Sequence, residues 1–499
     1  MSQINESAIK TPGVYVNEIP SFPPSIAQVA TAIPAFIGYT QRAQDLQGND
    51  LTNKPKRITS MLEYELYFGK GQPETNIEIT YTQTTTGTTT ADVISVAFNG
   101  AKSRHNMHSA VRFFYANGGG PCYIVSVGGY KAAVGDGLSL TDFFDVGTGK
   151  GLEAIAKEDE PTLIIFPEGQ NMVESNYYAL LGHALAQCGD LQDRFCIMDI
   201  FNSGEDLVTS SDLDGAIGNF RNGFASAFNN YGAAYFPNLK TVYSYDYDEA
   251  QTNIVHTVDG NNGPFNGKSL KEISTPPSLT SPLSPVDSSF NLPAYNLLKQ
   301  ALNTQFPVVL PPSPAVAGIY AAVDATRGVW KAPANTGLQD VIGTTFQISD
   351  ELQENMNIDA SGKSVNAIRA FTGKGILVWG ARTLDGNSND FKYISVRRFF
   401  IMVEESSRKA ANVFVFEPND GNTWVRVRAM IENYLTNLWR LGALAGSKPE
   451  QAFYVKVGLG QTMTFDDILN GRMIVEIGMA PVRPAEFIIL RFSQIQQQA

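Results

Sequence analysis

The chain has 499 residues, of which 43% are hydrophobic and 17% charged, and it carries a formal net charge of −12. It is too long for one ordinary core, so roughly two to four domains of an ordinary globular type are expected. The acidic balance argues against general nucleic-acid binding, which needs several phosphate-neutralising cations on one face. No apolar run is long enough to span a bilayer, and the first residues lack the basic-then-apolar order of a signal peptide.

Charge is unevenly placed. From residue 350 onward there are 17 Lys+Arg and 16 Asp+Glu, a balance of +1, which leaves −13 for the residues before it. In a packed polymer the near-neutral part can crowd together while the acidic part faces water. Cys122, Cys188 and Cys196 form neither a CxxC pair nor an even set, and read as small buried hydrophobes.

In chain order, residues 13–19 are a short β-prone run stopped by Pro20, Pro23 and Pro24, free to pair with the chain's own body or with a neighbour's sheet edge. Residues 33–39 read as a buried strand. Ser60 and Glu63 form a capping box for a helix through Phe68, ended by Gly69. Residues 76–98 alternate Thr with Ile, Tyr and Val around Gly87, which predicts a β-hairpin read as a solvated surface ribbon. A helix over 107–116 and a strand over 122–127 follow.

Strands at 162–166, 194–200 and 232–236 alternate with helical stretches near 173–188 and 211–225, the pattern of a βαβ domain with a largely parallel sheet. Residues 250–293, rich in Asn, Ser, Pro and Gly, read as an irregular surface insertion. The stretch 313–328 is a punctuated helix, with Ser313 as cap, Pro314 at the first helical position and Gly328 as stop. Its Val316, Ile319, Tyr320 and Val323 share one face. Strands are expected at 365–371 and 375–381, helices at 393–409 and 423–441, and strands at 453–457, 473–477 and 486–492.

Searches for chemistry return little. Gly263 to Ser269 looks like a phosphate loop but is one residue short and lies in the Asn/Pro-rich stretch; Gly147-Thr-Gly149-Lys-Gly151 departs from G-x-G-x-x-G. His105 and His108 have no Glu or Cys placed to complete a zinc site. Glu404-Glu405 and Asp466-Asp467 are adjacent pairs that point to different helix faces. No cofactor or metal site is expected. Arg397, Arg398, Arg408, Lys409, Arg426, Arg428 and Arg440 gather on the two C-terminal helices, read either as solvated faces with local ion pairs or as a contact for an acidic partner.

Residues 311–335, PPSPAVAGIYAAVDATRGVWKAPAN, closely resemble the hallmark of contractile tail sheath proteins, the family that clads phage tails and phage-tail-like injection machines. The likeness continues in family order through Gly380-Ala381-Arg382-Thr383-Leu384, Tyr393-Ile394-Ser395-Val396-Arg397-Arg398 and Phe416-Glu417-Pro418-Asn419. It runs on through residues 438–444 and Pro484-Ala485-Glu486-Phe487. Near the start, residues 11–16 and 31–38 match as well.

The resemblance implies an α+β and α/β multidomain fold: a sheath core built from N-terminal and C-terminal segments, outer insertions including a βαβ-type sheet, and extended terminal strand arms. The expected boundaries are an N-terminal arm over 1–30, core over 31–75, a Thr-rich hairpin insertion over 76–100 and a return to core over 101–135. An outer α/β insertion over 136–306 follows, then the C-terminal core over 307–483 and a C-terminal arm over 484–499. Implied arm residues are Val14, Tyr15, Val16, Glu18 and Ile19 at one end and Glu486, Phe487, Ile488, Ile489 and Leu490 at the other. Arg397, Arg398, Arg408 and Lys409 are the implied contacts to an inner tube.

The implied role is structural rather than enzymatic: stacked hexameric rings around a tube, contracting from a metastable extended state. The implied partners are further copies of the chain, the tube protein, baseplate and terminal cap proteins, and sheath paralogues. Neither nucleic acid nor direct membrane insertion is implied, and assembly is expected in the cytoplasm of the producing bacterium. The alternative is an α/β-domain hydrolase or NTPase.

Overall fold

The computed structural model describes residues 26–201, 207–276 and 290–491. The chain divides into two compact units. Among the described residues, the larger comprises those within Ala30–Ile401 and Arg483–Arg491, and the smaller comprises Ile26–Val29 and Met402–Val482.

The larger unit begins with β1 (Pro34–Thr40), buried at every position, and β2 (Lys56–Ile58). Helix α1 (Met61–Phe68) is capped by Ser60, whose Oγ accepts the Glu63 N–H. The box is only half made, because the Glu63 carboxylate takes the N–H of Thr59 rather than that of Ser60. The hairpin β3 (Ile77–Thr86) and β4 (Thr89–Phe98) turns at Gly87, whose φ of 64° suits glycine. Its tip is exposed, but Ile77, Ile79 and Tyr81 are buried, so the base of the expected surface ribbon has a core of its own.

Next come α2 (Met107–Ala116), β5 (Cys122–Gly129), β6 (Leu163–Ile165), α3 (Glu174–Leu191), β7 (Phe195–Asp199), α4 (Ser210–Gly223) and β8 (Gly232–Phe236). Strand β9 (Leu239–Ser244) leaves this layer. Strand β10 (Asn253–Val258) lies parallel to β3, which corrects the reading of 250–293 as irregular. Asn-rich composition concealed it, but Ile254 packs with Phe265, Leu270, Leu298 and Leu302, and His256 stacks between Tyr81 and Phe265. Helix α5 (Leu292–Gln305), β11 (Pro307–Leu310), α6 (Ser313–Arg327), β12 (Thr336–Gly337), β13 (Val341–Thr344), α7 (Asp350–Asn357), β14 (Val365–Phe371) and β15 (Gly375–Val378) follow.

The main sheet runs β12-β15-β14-β8-β7-β6-β1-β5-β2. Its six central strands, β14 to β5, are mutually parallel, and the outer pairings are antiparallel. Parallel strands carry helices on their faces and are buried on both sides, hence the unbroken apolar runs AFIGY, LII and GAAYF. This sheet takes strands from 31–75, 101–135, 136–306 and 307–483 alike, so the stretch 136–306 shares one core with segments on either side.

Helix α6 packs against α2 at very short range. A Cβ on Gly318 would lie 2.7 Å from the Phe114 carbonyl oxygen, and one on Gly118 would lie 2.8 Å from Ala322 Cβ. Gly328 ends α6 with φ 87° and donates its N–H to Asp324 O.

Helix α8 (Ile394–Ala411) begins in the larger unit and ends in the smaller. The smaller unit continues with α9 (Gly421–Arg440) and one antiparallel pair, β16 (Phe453–Val457) and β17 (Val475–Met479). The expected strand 473–477 thus lies two residues later. The expected strand 486–492 is absent among the described residues, since 482–491 make no ladder.

Replacing Gly318 by Val is expected to cost about 1–3 kcal/mol through overpacking, read as a fall in urea midpoint. Gly182→Ala, in α3 where a Cβ meets nothing within 4 Å, should instead gain about 0.5–1 kcal/mol.

Candidate functional site

The residues that carry the family resemblance meet at three places in the larger unit. The first is the start of α6. Pro312, not Ser313, occupies the N-cap, and Ser313 is the first helical residue. It donates its N–H to Asp199 Oδ1 at 2.8 Å and its hydroxyl to Oδ2 at 2.6 Å. Asp199 ends β7 and is 2% exposed, so a strand-borne carboxylate supplies what the helix N-terminus needs. Burial pushes its carboxyl up to about 7, although the Ser313 bonds work in the other direction.

The second is a buried ion pair. Arg398 Nη1 donates to Asp324 Oδ1 at 3.1 Å, and Nη2 donates to Asp324 Oδ2 and to the Thr31 carbonyl. The Thr31 hydroxyl closes the ring on Asp324, and the guanidinium lies 4.5 Å from the Tyr320 ring centre. Arg397 sits between the rings of Tyr231 and Phe391 at 4.6 and 4.5 Å. Both arginines are under 5% exposed. This corrects their expected place at a tube surface, because cation–π and ion-pair partners hold them inside.

The third is the root of the C-terminal arm. Arg382 donates Nε to Glu486 Oε1 at 2.9 Å and Nη2 to Oε2 at 2.6 Å. Asn357 Nδ2 and the Tyr393 hydroxyl donate to the same carboxylate at 2.9 and 3.3 Å. Burial alone would raise the Glu486 carboxyl, but these donors outweigh it and hold it below its ordinary value. One residue on, Phe487, Ile488, Ile489 and Leu490 are 66–78% exposed.

In the smaller unit, Arg408 and Lys409 stay at the surface, each paired with Glu405 at 2.6 and 3.2 Å. The Phe416–Asn419 motif leads into α9: Asn419 accepts from Trp424 Nε1 at 2.7 Å, and Asp420 caps with bonds from Asn422 and Thr423 N–H. Phe416 takes a left-handed φ of 69° and is fully exposed. The arm residues Val14, Tyr15, Val16, Glu18 and Ile19 lie outside the described residues.

The phosphate-loop lookalike spends its backbone donors internally, with Gly263, Gly267 and Lys268 N–H bonded to His256, Ile254 and Phe265 carbonyls. His105 faces buried Glu168 while His108 pairs with Glu65. Among the described residues no group of His, Cys, Asp and Glu is placed to hold a metal, and no helix is long and apolar enough to cross a membrane. All three cysteines are buried free thiols, and burial pushes Cys122 and Cys188 up to about 12.

In the sequence Arg382 and Glu486 stand in separate motifs, and only their opposite charges hint at a pair. Asp199 carried no signal, since nothing local marks it as a cap for a helix 114 residues away.

Residues 387–495 match the phage tail sheath C-terminal domain family. The chain is 30% identical to the sheath of the anti-feeding prophage (AFP) in its contracted helical form, covering 97% of this chain and 99% of that one with a TM-score of 0.60. It is 28% identical to the PVC sheath of an extracellular contractile injection system, also contracted, over 97% and 98% of the two chains with a TM-score of 0.61. The tail sheath protein of Vibrio phage KVP40 is 24% identical over 178 residues, which are 36% of this chain but only 25% of that protein. Fold and sequence likeness together define a sheath-type protein. The chain belongs to the contractile tail sheath family.

Asp199 gives a signed pH dependence. Its carboxyl rises from 3.8 to about 7 on folding, so its contribution is greatest below pH about 4 and is lost as pH rises through about 7. Urea titrations of wild type and Asp199→Asn should show wild type losing ground to the variant across that window, and parallel curves would contradict the assignment.

Proposed function

We propose that this protein is the sheath protomer of a contractile injection apparatus. It polymerises as stacked hexameric rings around an inner tube and contracts from a metastable extended lattice to drive that tube through a target envelope. The observation that carries the reading is the 30% identity to a helical sheath over 97% of the chain. The role is structural, with the work stored during assembly. The partners are further copies of the chain, the tube protein, baseplate and terminal cap proteins, and sheath paralogues. Assembly takes place in the producing bacterium's cytoplasm, and the product is a phage tail or tail-like particle.

Strand exchange joins the copies. The arm residues Glu486, Phe487, Ile488, Ile489 and Leu490, and Val14, Tyr15, Val16, Glu18 and Ile19 at the other end, add to a neighbour's sheet. Two features support this. Four consecutive apolar residues stand exposed in the C-terminal arm, and the β16–β17 pair is a two-stranded sheet, a form only marginally stable by itself and open to added strands. The exposed Arg408 and Lys409 remain the candidate tube contact, while Arg397 and Arg398 belong to the interior.

Electron microscopy of the protein, alone and with its tube protein, tests the reading: hollow striated tubes are expected, and no filament under either condition would end it. Chains lacking 1–20 or 484–499 should stay folded but fail to polymerise, and normal tubes from either would remove that arm from the assembly. Reversing charge at Arg408 and Lys409 should weaken co-sedimentation with the tube about tenfold. The variant should still fold, as circular dichroism would show, with a melting temperature lowered by several degrees (about 4 °C per 1 kcal/mol), because buried Glu405 loses both its cationic partners.

A further inference from the structure

Arg382 and Glu486 are 104 positions apart, in the segments Gly380–Leu384 and Pro484–Phe487. Their contact is nevertheless built in depth. The Glu486 carboxylate receives five hydrogen bonds from three side chains at 2.6–3.3 Å. Arg382 is itself immobilised: its N–H donates to Asn366 Oδ1 at 2.8 Å and its carbonyl accepts from Asn366 Nδ2 at 2.8 Å. The same Asn366 Nδ2 donates to the Ala234 carbonyl at 3.1 Å. Asn366 lies on β14 and Ala234 on β8, adjacent parallel strands in the middle of the main sheet. Gly380 makes the approach possible, since a Cβ there would sit 2.7 Å from Asn366 Oδ1.

Beyond Glu486 the character changes within one residue. Phe487 to Leu490 are exposed and make no ladder among the described residues. A tail with no task needs no such root. A bidentate guanidinium–carboxylate pair is directional, so it resists displacement along the chain better than an apolar plug of the same size.

We infer that Arg382 and Glu486 form the anchor of the C-terminal arm. The clasp fixes where the arm leaves its own body and carries the pull of the neighbouring copy that holds the residues beyond it. The load path runs from Glu486 through the Arg382 side chain and backbone to Asn366, and from there into β14 and β8. The inference rests on the strand-exchange reading above. Arg382, Asn357 and Tyr393 are positioning residues in it, and the partner is a second copy of this chain.

Hydrogen exchange on the unassembled full chain tests the anchor. Glu486→Gln keeps the side-chain shape and removes the charge, and peptides covering 380–384, where the N–H groups of Arg382, Thr383 and Leu384 are bonded to Asn366, Lys392 and Gly232, should exchange at least about tenfold faster with the rest of the chain unchanged. Tyr393→Phe, which removes only the longest of the five bonds, should give a smaller rise in the same peptides. Wild-type protection there in both variants would overturn the clasp. Tubes assembled from Glu486→Gln chains should break into short pieces at lower urea than wild-type tubes, and equal resistance would overturn the load-bearing role. Deleting 487–499, which spares Glu486, tests strand exchange separately. If that chain polymerises normally, strand exchange fails, while the exchange result at Glu486 still decides whether the clasp exists.

Discussion

Taking a guanidinium and a carboxylate out of water is costly, and a buried pair is retained only where its geometry leaves little unsatisfied. The contact of Arg398 with Asp324 meets that condition: both carboxylate oxygens are engaged, and the spare guanidinium donor goes to the Thr31 carbonyl. Thr31 precedes β1, Asp324 lies in the last turn of α6 and Arg398 lies in the first turns of α8. One charged contact thereby joins three segments spread over 367 positions of the chain. Tyr320 supplies the aromatic face beneath it and bonds through its hydroxyl to Tyr235 on β8. Losing either charge would leave the other buried and unpaired, so these elements depend on one another for their placement.

The same logic recurs at each motif. Asp199 holds the start of α6 from the end of β7, and Arg382 holds Glu486 from beside β14. Polar groups inside the larger unit do the positioning, while apolar groups that would ordinarily be inside, Phe487 to Leu490 and Phe416, stand exposed. Contiguous exposed apolar surface marks an interaction site in a soluble chain. That inversion is the observation on which the proposed strand exchange rests.

Much of this was legible. The apolar runs at 34–40, 163–165 and 232–236 have no polar alternation, which is the mark of strands covered on both faces. The punctuation of α6 by Pro314 and Gly328 located that helix, and the Phe416–Asn419 motif marked the approach to α9. Where reading failed, composition misled. Asn-rich 250–293 hid β10, although its own NIVHTV carries four β-branched residues, because those six residues are outweighed by the Asn, Gly, Ser and Pro around them. The arginines at 397 and 398 looked like surface charge because a helix shows its faces but not what packs against them.

Local pattern by itself determined the elements, the buried faces and, through ordered motifs at both ends, the family. Those depend on interactions a few residues apart, which side-chain spacing records directly. The tertiary structure alone decided which charges are internal, that 136–306 shares a sheet with its flanks, and that Glu486 is held by Arg382. Each rests on contacts far apart in the chain, 74 positions for Arg398 with Asp324 and 104 for Arg382 with Glu486, and such a partner is chosen by how the sheet stacks its strands, which no local stretch of sequence encodes.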